Sequence, residues 1–307
     1  MRISLPVERI RKKSAVRELP PGIMQARANQ RFIHAYPTPL QRPLPSAWDG
    51  HLKRLRFYWR ARKFLRKWDS AEIRAMLELL RKGDVALDVG CHKGGWLYWM
   101  RRAIGPTGQV HAFEPQPELA QYLKEIVEAF NWSNVFIHTC ALGSKSGHRS
   151  LHVPDSTGST SASASLVAGV ATSESNQAPK VHDVELQTLD SFVKSQGLQR
   201  LDFVKVDVEG FELETLQGAQ ETLATLRPAI MVECEKRHLR LRELEPQQVF
   251  DQVLQHNYTG HFFCQGARIS LEEFQGHVHQ NEEGERFWDL GTYANNFLFL
   301  PESKAGS

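Results

Sequence analysis

The stretch VALDVGCHKGGWLYWM, residues 85–100, decides the fold of this chain. A short apolar run ends in an acid, Asp88, and a turn rich in small residues leads into an apolar helical pattern. This order predicts a buried strand, a glycine turn and a helix whose N-terminal N–H groups suit an anionic or carboxylate-bearing cofactor. The spacing D-x-G-x-x-x-G-G differs from the G-x-G-x-x-G of dinucleotide-binding folds and disfavours a nicotinamide dehydrogenase.

Strand-like and helix-like segments alternate on the C-terminal side of that stretch. Strands are predicted at 109–114, 134–142, 201–208, 229–235, 258–264 and 294–300, and helices at 95–104, 117–130, 211–226 and 246–256. Alternation of this kind is typical of a mostly parallel α/β sheet with helices on both faces. The last two strands have no clear helix between them, which predicts an antiparallel pair at the edge of the sheet.

Two further strand-like runs, GHRSLHV and KVHDVELQ, flank a loop rich in Ser, Thr, Ala and Gly. They predict a hairpin-like insertion or another excursion from the main sheet. The loop at 156–177 follows the third strand, so it is either a substrate lid or a disordered insertion.

The N-terminal quarter differs in charge from the rest of the chain. Residues 1–82 carry 20 Lys and Arg against 6 Asp and Glu, whereas the remainder carries 18 against 29. We expect a basic N-terminal arm with helices at 1–82 and the main domain at 83–307. The first 48 residues, rich in Pro and Arg, predict an extended arm, which is either a poorly ordered tail or a structured wrap over the core. A helix is predicted at 71–81, with Asp69 and Glu72 at capping-box spacing.

The segment 51–68 has the pattern of a basic amphipathic helix. Its predicted apolar face consists of Leu52, Leu55, Tyr58, Trp59, Ala61, Leu65 and Trp68. Arg and Lys crowd the other face. Such a basic face either contacts an anionic partner, such as a membrane surface or a phosphate backbone, or is simply solvated over a packed stripe.

Composition argues against several classes of protein. No run approaches eighteen consecutive apolar residues, so no membrane span is expected, and no apolar region follows the early basic run as in a secretory signal. The four cysteines form no C-x-x-C pair and predict buried thiols in a reducing compartment, so a cytoplasmic location is expected. The thirteen histidines form no complete zinc-ligand motif, and no metal site is predicted.

Acidic residues gather at the carboxyl ends of the predicted strands, where open α/β sheets bind their ligands. Asp88 ends the first strand, and Glu114 ends the second, where an acid can accept both hydroxyls of a ribose. Asp207 and Glu209 end the fourth central strand, and Glu233 ends the fifth. So many acids at one edge exceed what a structural scaffold requires.

Six motifs carry a resemblance to a known family. In chain order they are VALDVGCHKGG, HAFEPQPE, CALGSKSG, LQTLDSF, VKVDVEGFELETLQGA and RPAIMVECE. Together they resemble the FkbM family of S-adenosylmethionine-dependent methyltransferases, over roughly residues 83–235. The resemblance implies a Rossmann-like class I methyltransferase fold, with a seven-stranded, mostly parallel sheet, an antiparallel last strand and helices on both faces. It also implies O-methylation of a hydroxyl on a sugar, glycan or other small acceptor.

The resemblance assigns residues to the cofactor S-adenosyl-L-methionine. The implied cofactor-binding residues are Asp88, Gly90, Cys91, His92, Gly94, Glu114, Pro115, Ala141, Leu142 and Asp207. The implied catalytic residues are Asp207, Glu209 and Lys205. The chain departs from the family pattern at His92, where Asn is common, and at Ser144, where Asp is frequent; the adenine contact is therefore left unassigned.

Several roles remain open at this stage. Asp207 and Glu209 could position the cofactor or substrate, act as a general base, or hold a divalent cation. Lys205 shares a face with Asp207 and is either its ion-pair partner or a catalytic group. His92 is either a substrate or base candidate or an ordinary turn residue, and Glu233 has an open role at the pocket. His238 is expected at the surface.

Two other functions compete with O-methylation of a small molecule. The basic N-terminal region could dock RNA or another polyanion as the acceptor, although the chain has no N-P-P-Y or stacking motif at the fourth strand. The domain could also bind the cofactor without catalysing transfer. A peripheral contact with an anionic surface remains compatible with either reading, and the oligomeric state is not predicted.

Overall fold

The computed structural model describes residues 46–154, 160–173, 178–282 and 291–302. Residues 1–45 of the predicted arm and parts of the loop at 156–177 lie outside these residues, whereas residues 46–48, also predicted as arm, begin the first helix. The helices are α1 Ser46–Lys63, α2 Ser70–Leu79, α3 Leu97–Ile104, α4 Pro117–Ala129, α5 Ala168–Ser173, α6 Leu189–Ser195, α7 Glu212–Gln217, α8 Gln220–Thr225, α9 Lys236–Leu239, α10 Pro246–Leu254 and α11 Gly276–His279. A π-helical turn, Phe64–Trp68, continues α1, and short 3₁₀ turns lie at Arg240–Arg242 and Leu271–Glu273.

The strands form one large sheet and one small sheet. They are β1 Val85–Val89, β2 Gln109–Phe113, β3 Val135–His138, β4 Ala141–Leu142, β5 Gly147–Val153, β6 Lys180–Gln187, β7 Phe203–Val206, β8 Ala229–Glu233, β9 Tyr258–Cys264, β10 Ala267–Ser270 and β11 Asn296–Pro301. The large sheet has the order β10-β9-β11-β8-β7-β1-β2-β3, and the small sheet β4-β6-β5.

The large sheet confirms the predicted fold class. Strands β3, β2, β1, β7 and β8 run parallel, and β11 runs antiparallel to both β8 and β9. This is the Rossmann-like arrangement of a class I methyltransferase, with the expected antiparallel last strand. The sheet has an eighth strand, β10, which the prediction lacked. It forms a tight hairpin with β9 because Gln265 and Gly266 both take positive φ.

Two predicted elements are broken in the structure. The run at 134–142 splits into β3 and β4, and β4 leaves the main sheet to pair with β6. The helix predicted at 211–226 divides into α7 and α8 at Gly218. A Cβ there would stand 2.0 Å from the carbonyl oxygen of Gly143, so this close approach of two backbones requires glycine. The predicted insertion is confirmed as the antiparallel pair of β5 and β6.

Side chains alternate between two cores, one on each face of the large sheet. Leu87 in β1 packs in the core that includes Phe192 and Phe250, which belong to α6 and α10. Its neighbour Ala86 packs in the core built with Phe57 of α1, and with residues of α2, α3 and α4. Asp88 follows Ala86 by two residues, so its side chain projects toward the face covered by α1 to α4.

Helix α1 packs on the sheet through a face that the prediction gave only in part: Ala61 and Leu65 pack as expected, but Phe57 was missed. Phe57 and Ala61 are buried, and the Phe57 ring packs edge-on against Phe130 and a neighbouring tryptophan. Leu55 and Trp59, expected in the apolar stripe, are 51% and 57% exposed. Phe57 takes the buried position because the aromatic residues just after α4 pack against its ring. The domain boundary at residue 82 stays a prediction.

No helix in the described part of the chain is long and apolar enough to cross a membrane.

Candidate active site

A cavity of about 400 Å³ opens at the carboxyl ends of β1, β2, β7 and β8. Its walls come from the turn after β1, the end of β2, the strand β4, the end of β7 and the π-helical turn after α1. Pockets for small ligands typically measure about 300 to 1,000 Å³, so the cavity accommodates a nucleoside-sized molecule.

Most predicted site residues line this cavity. They are Asp88, Gly90, Cys91, His92, Glu114, Pro115, Ala141, Leu142, Lys205, Asp207 and Glu209. Gly94 is not among the lining residues. A Cβ on Gly94 would lie 2.8 Å from the Phe57 ring, so this glycine serves the packing of α1 against the turn.

The glycine turn is fitted closely against the end of β7. Gly90 has φ +82, and a Cβ on it would lie 1.7 Å from the backbone oxygen of Asp207. His92, two residues on, also has positive φ, at 46°. Only glycine allows the close approach at residue 90, because any side chain would collide with backbone that cannot move aside. The turn therefore fixes the spacing between the end of β1 and the end of β7, which both line the cavity.

Glu114 forms one end of the cavity. Its carboxylate accepts hydrogen bonds from the backbone N–H groups of His92, at 2.8 Å, and Gln116, at 2.9 Å. Burial raises the pKa of Glu114 to about 7 in spite of these two bonds. The carboxylate is thus oriented by two donors and keeps further lone pairs for a ligand.

Asp88 lies in β1, between β2, which leads to Glu114, and β7, which carries Lys205. Its Oδ2 atom is buried and has no hydrogen-bond partner among the described residues. Burial raises the pKa of Asp88 to about 7, while the nearby ammonium of Lys205 opposes the shift. His92 is the second lining residue with such an atom, its buried Nε2. Buried polar atoms in a cavity wall that have no protein partner can bind a polar ligand or an ordered water.

We expect Asp88→Asn to stabilise the free protein at pH 8. The pKa of Asp88 rises from 3.8 to about 7 on folding, so the unfolded chain ionises first and the folded state loses stability as pH rises through that window. An amide avoids this loss, and the gain should be about 1 to 3 kcal/mol at pH 8 and vanish near pH 4. Urea unfolding at both pH values measures it.

The matched control for that variant is Asp251→Asn, at an exposed position of α10. It should leave the free energy of unfolding unchanged at both pH values. An Asp88→Asn protein that is no more stable than wild type at pH 8 would contradict the assigned burial of a charge.

Lys205 lines the cavity together with Asp207, Glu209 and Glu233, in the part that we call the acidic end. Its Nζ contacts Asp207 Oδ2 at 2.6 Å, and the Trp96 ring centroid lies 5.2 Å away. Burial alone would lower the pKa of Lys205, but the carboxylates of Asp207, Glu233 and Asp88 together raise it. Lys205 is therefore a permanent cation within a group of acids, and its interpretation as the partner of Asp207 matches this geometry.

Glu209 and Glu233 complete the acidic wall. Burial, with the nearby Asp207, raises the pKa of both carboxyl groups well above the usual range. Glu209 has φ +52, a conformation that is costly for a residue with a side chain. His238 is buried and its Nδ1 lies 3.4 Å from Glu209 Oε2. The expectation of a surface histidine was wrong, because the short α9 turns this side chain inward.

Sequence reasoning missed a third wall, contributed by the N-terminal helices. Phe64, Trp68 and Asp69 line the cavity, as do Trp96 and Glu233. The Oδ2 atom of Asp69 accepts a hydrogen bond from Trp96 Nε1 at 2.7 Å and makes no capping contact with α2. The predicted capping box was therefore wrong.

No local signal could have revealed this wall. Asp69 and Trp68 lie outside the motifs that carry the resemblance, and their approach to the cavity depends on how α1 packs. Burial raises the pKa of Asp69, partly offset by Lys205. Asp69 is therefore a further acid that interacts electrostatically with the ammonium of Lys205.

Part of the Ser/Ala-rich loop covers the cavity. Ala162, Ala164 and Leu166 line it. The amide of Gln116 donates to the Ser161 carbonyl at 2.9 Å and accepts from its N–H at 3.0 Å. Ser165 Oγ donates to the carbonyl of Glu209 at 2.6 Å. The described portion of the loop is thus tied to both ends of the site, as a lid would be.

We expect Gln116→Ala to loosen this cover. The change removes both side-chain hydrogen bonds to Ser161, and each typically contributes about 0.5 to 1.5 kcal/mol. Amide hydrogen exchange at residues 160–166 should become roughly tenfold faster. Gln196→Ala, at an exposed position after α6, is the control and should leave that exchange unchanged. Unchanged exchange in Gln116→Ala would contradict the anchoring role.

Among the described residues, no cluster of three or more His, Cys, Asp or Glu side chains is arranged to hold a metal ion.

Comparison with known proteins defines the class that fold and cavity indicate. Residues 88–259 match the family described as "Methyltransferase FkbM domain", which is more than half of the chain. The chain belongs to the FkbM methyltransferase family.

Three known proteins are similar to this chain in sequence or in structure. The 2-O-methyltransferase NoeI of Sinorhizobium fredii is 28% identical over 168 residues, covering 50% of this chain and 65% of that protein. Methyltransferase sdnD of Sordaria araneosa is 31% identical over 169 residues, covering 48% of this chain and 64% of that protein. The match therefore spans slightly less than two thirds of either relative. The crystal structure of methyltransferase FkbM from Methylobacillus flagellatus is 14% identical, with a TM-score of 0.43, covering 80% of this chain and 54% of that one.

Proposed function

We propose that this protein transfers a methyl group from S-adenosyl-L-methionine to a hydroxyl of a small, uncharged or cationic acceptor such as a sugar. One observation carries the proposal. A single cavity has an oriented carboxylate, Glu114, at one end and the ion pair of Lys205 and Asp207 at the other. The name of the relative, 2-O-methyltransferase NoeI, supports oxygen as the acceptor atom.

The residues present fit this cofactor. Glu114 offers a carboxylate fixed by two N–H donors, which suits the two hydroxyls of a ribose. The buried, unpartnered Asp88 Oδ2 offers an acceptor for an ammonium group. Gly90 leaves room at the wall that any side chain would fill. The apolar Ala141 and Leu142 line the cavity wall and suit a flat base.

The chemistry asks little of the protein beyond alignment and removal of one proton. A bound sulfonium cofactor supplies a methyl group that is already activated for displacement. The side chain of Asp207 is 27% exposed, whereas that of its partner Lys205 is 3% exposed. Of this pair, Asp207 is therefore the residue that can contact the hydroxyl of an acceptor. We assign Asp207 as the base that accepts the hydroxyl proton and Lys205 as the cation that fixes its orientation.

Charge at the cavity favours some acceptors over others. Six carboxyl groups line it, those of Asp69, Asp88, Glu114, Asp207, Glu209 and Glu233, against two lysines. Above pH 7, where more of these buried carboxyl groups ionise, a phosphorylated acceptor would meet like charge at the acidic end, which costs affinity. Neutral hydroxylated molecules and amine-bearing sugars avoid that cost. Within the site itself, RNA or another polyanion is therefore the less suitable acceptor.

The test is transfer of a radiolabelled methyl group from S-adenosyl-L-methionine to a panel of acceptors. The panel holds methyl glycosides, amino sugars, sugar phosphates and a short RNA. We expect turnover on a neutral or amine-bearing sugar and none on the sugar phosphates or RNA. Cofactor binding without turnover on any acceptor would indicate a non-catalytic binding module instead.

A further inference from the structure

We propose that the exposed face of residues 55–68 docks this protein on an anionic phospholipid bilayer. The face has an apolar part, Leu55, Trp59 and Trp68, and a basic part, Arg56, Lys63, Arg66 and Lys67. We call it the basic aromatic face. It lies on the side of α1 and its π-helical continuation that does not pack on the sheet.

The geometry of α1 separates this face from the core contact. Phe57 and Ala61 are buried and lie one turn apart on the packed side. Leu55, Trp59 and Lys63 follow at intervals of four residues and form a row along the outer side. Two helical faces are thus apolar, and the described residues cover one of them. Apolar side chains left in the open beside cations are typical of helices that lie in a membrane interface.

The charge of the segment matches an anionic surface. Residues 50–68 contain eight Lys and Arg and no Asp or Glu. Within the described part of the chain, Arg56, Lys63, Arg66 and Lys67 form no ion pair with a carboxylate. Their charges are therefore available to a partner, and each cation held near an anionic bilayer adds to the attraction.

The apolar part of the face favours lipid over nucleic acid. Lys63 Nζ lies 4.4 Å from the Trp68 ring centroid, and the Arg62 guanidinium lies 5.5 Å from that of Trp59. Tryptophan beside Lys or Arg is the side-chain pair that anchors proteins at the level of lipid headgroups. A nucleic acid could use the cations and stack bases on the tryptophans, but it would leave the aliphatic Leu55 exposed to water.

Docking on this face would also orient the cavity. Trp68 is 49% exposed and lines the cavity, so the basic aromatic face reaches the cavity opening. If the proposed methyl transfer is correct, an acceptor anchored in the bilayer could present its headgroup hydroxyl there. This consequence rests on the proposed function, whereas docking itself does not.

The test is co-sedimentation of the full chain with vesicles of phosphatidylcholine alone or with phosphatidylglycerol added. We expect binding to the anionic vesicles only, weakening as salt is raised. The double variant Arg66→Glu/Lys67→Glu should bind at least about tenfold more weakly. Lys145→Glu/Lys194→Glu makes the same change of charge at exposed sites elsewhere and should bind as wild type does.

The apolar contribution needs its own variants. Leu55→Ser/Trp59→Ser should weaken vesicle binding about tenfold or more, whereas Val181→Ser/Leu241→Ser, at exposed positions outside the face, should not. All four positions are exposed, so unchanged unfolding midpoints are expected. The proposal is overturned if the wild type does not bind anionic vesicles. It is also overturned if Arg66→Glu/Lys67→Glu and Leu55→Ser/Trp59→Ser both bind them as the wild type does. Binding to a short RNA but not to vesicles would assign the face to nucleic acid instead. Because the vesicle assay measures binding and needs no turnover, the docking proposal and the methyl-transfer proposal can be refuted independently.

Discussion

Asp207→Asn is expected to lower kcat for methyl transfer by about 10² to 10⁴ while leaving the affinity for S-adenosyl-L-methionine within threefold of wild type. The amide keeps an oxygen that can accept the hydrogen bond from Lys205 Nζ, so the local geometry is retained. It loses the ability to take a proton from the acceptor hydroxyl. Steady-state transfer on the best acceptor of the panel, with calorimetric titration of the cofactor, measures both quantities.

The division between kcat and binding separates the roles left open for Asp207. A base acts on kcat alone, whereas a residue that mainly positions the cofactor would raise its dissociation constant as well. Asp183→Asn, at an exposed site of the β5–β6 insertion, is the control and should change neither value. If Asp207→Asn weakens cofactor binding as much as it slows transfer, Asp207 is a positioning residue and the assignment as base is wrong.

Lys205→Met is expected to destabilise the folded protein by about 3 to 5 kcal/mol at pH 8, because it removes the buried cation from a group of acids. Methionine has nearly the same length, so packing near Trp96 is kept. The loss should shrink toward pH 5, where Asp88 and Glu233 take up protons, as their raised pKa values imply. Urea unfolding from pH 5 to pH 8 gives this slope.

The slope is what distinguishes an electrostatic role from a packing role. Lys194→Met, at an exposed position of α6, should give no loss at any pH. A variant too unstable for pH 8 still gives the slope between pH 5 and pH 7. A Lys205→Met protein that loses the same stability at every pH would show that the lysine acts by packing its aliphatic stem.

The part of the site predicted from sequence is the part built from short-range patterns. Asp88, Glu114 and Asp207 each follow an apolar run, and parallel strands bring their carboxyl ends together at one edge. Gly90 was predicted from its place in the turn, and the structure gives the reason, a backbone oxygen where its side chain would be. Position along the strand was enough to locate these residues.

What sequence could not give depends on contacts between distant segments. Asp69 and Trp68 reach the cavity because Phe57 packs among aromatic residues at the end of α4, more than seventy residues later. The apolar run at 134–142 has no Gly or Pro to mark the break between β3 and β4. The break follows from pairing of β4 with β6, a partner more than forty residues away. Tertiary contacts of this kind leave no periodic signal.

The most direct test of a cofactor site in this cavity is calorimetric titration with S-adenosyl-L-methionine at pH 8, on wild type, Glu114→Gln and Glu118→Gln. Glu118 lies four residues further along the chain, in the first turn of α4, and is exposed. We expect saturable binding at one site in wild type and in Glu118→Gln, and at least tenfold weaker binding in Glu114→Gln, because charged hydrogen bonds to the ribose are lost. No saturable binding to wild type, or equal binding to all three proteins, would contradict the account.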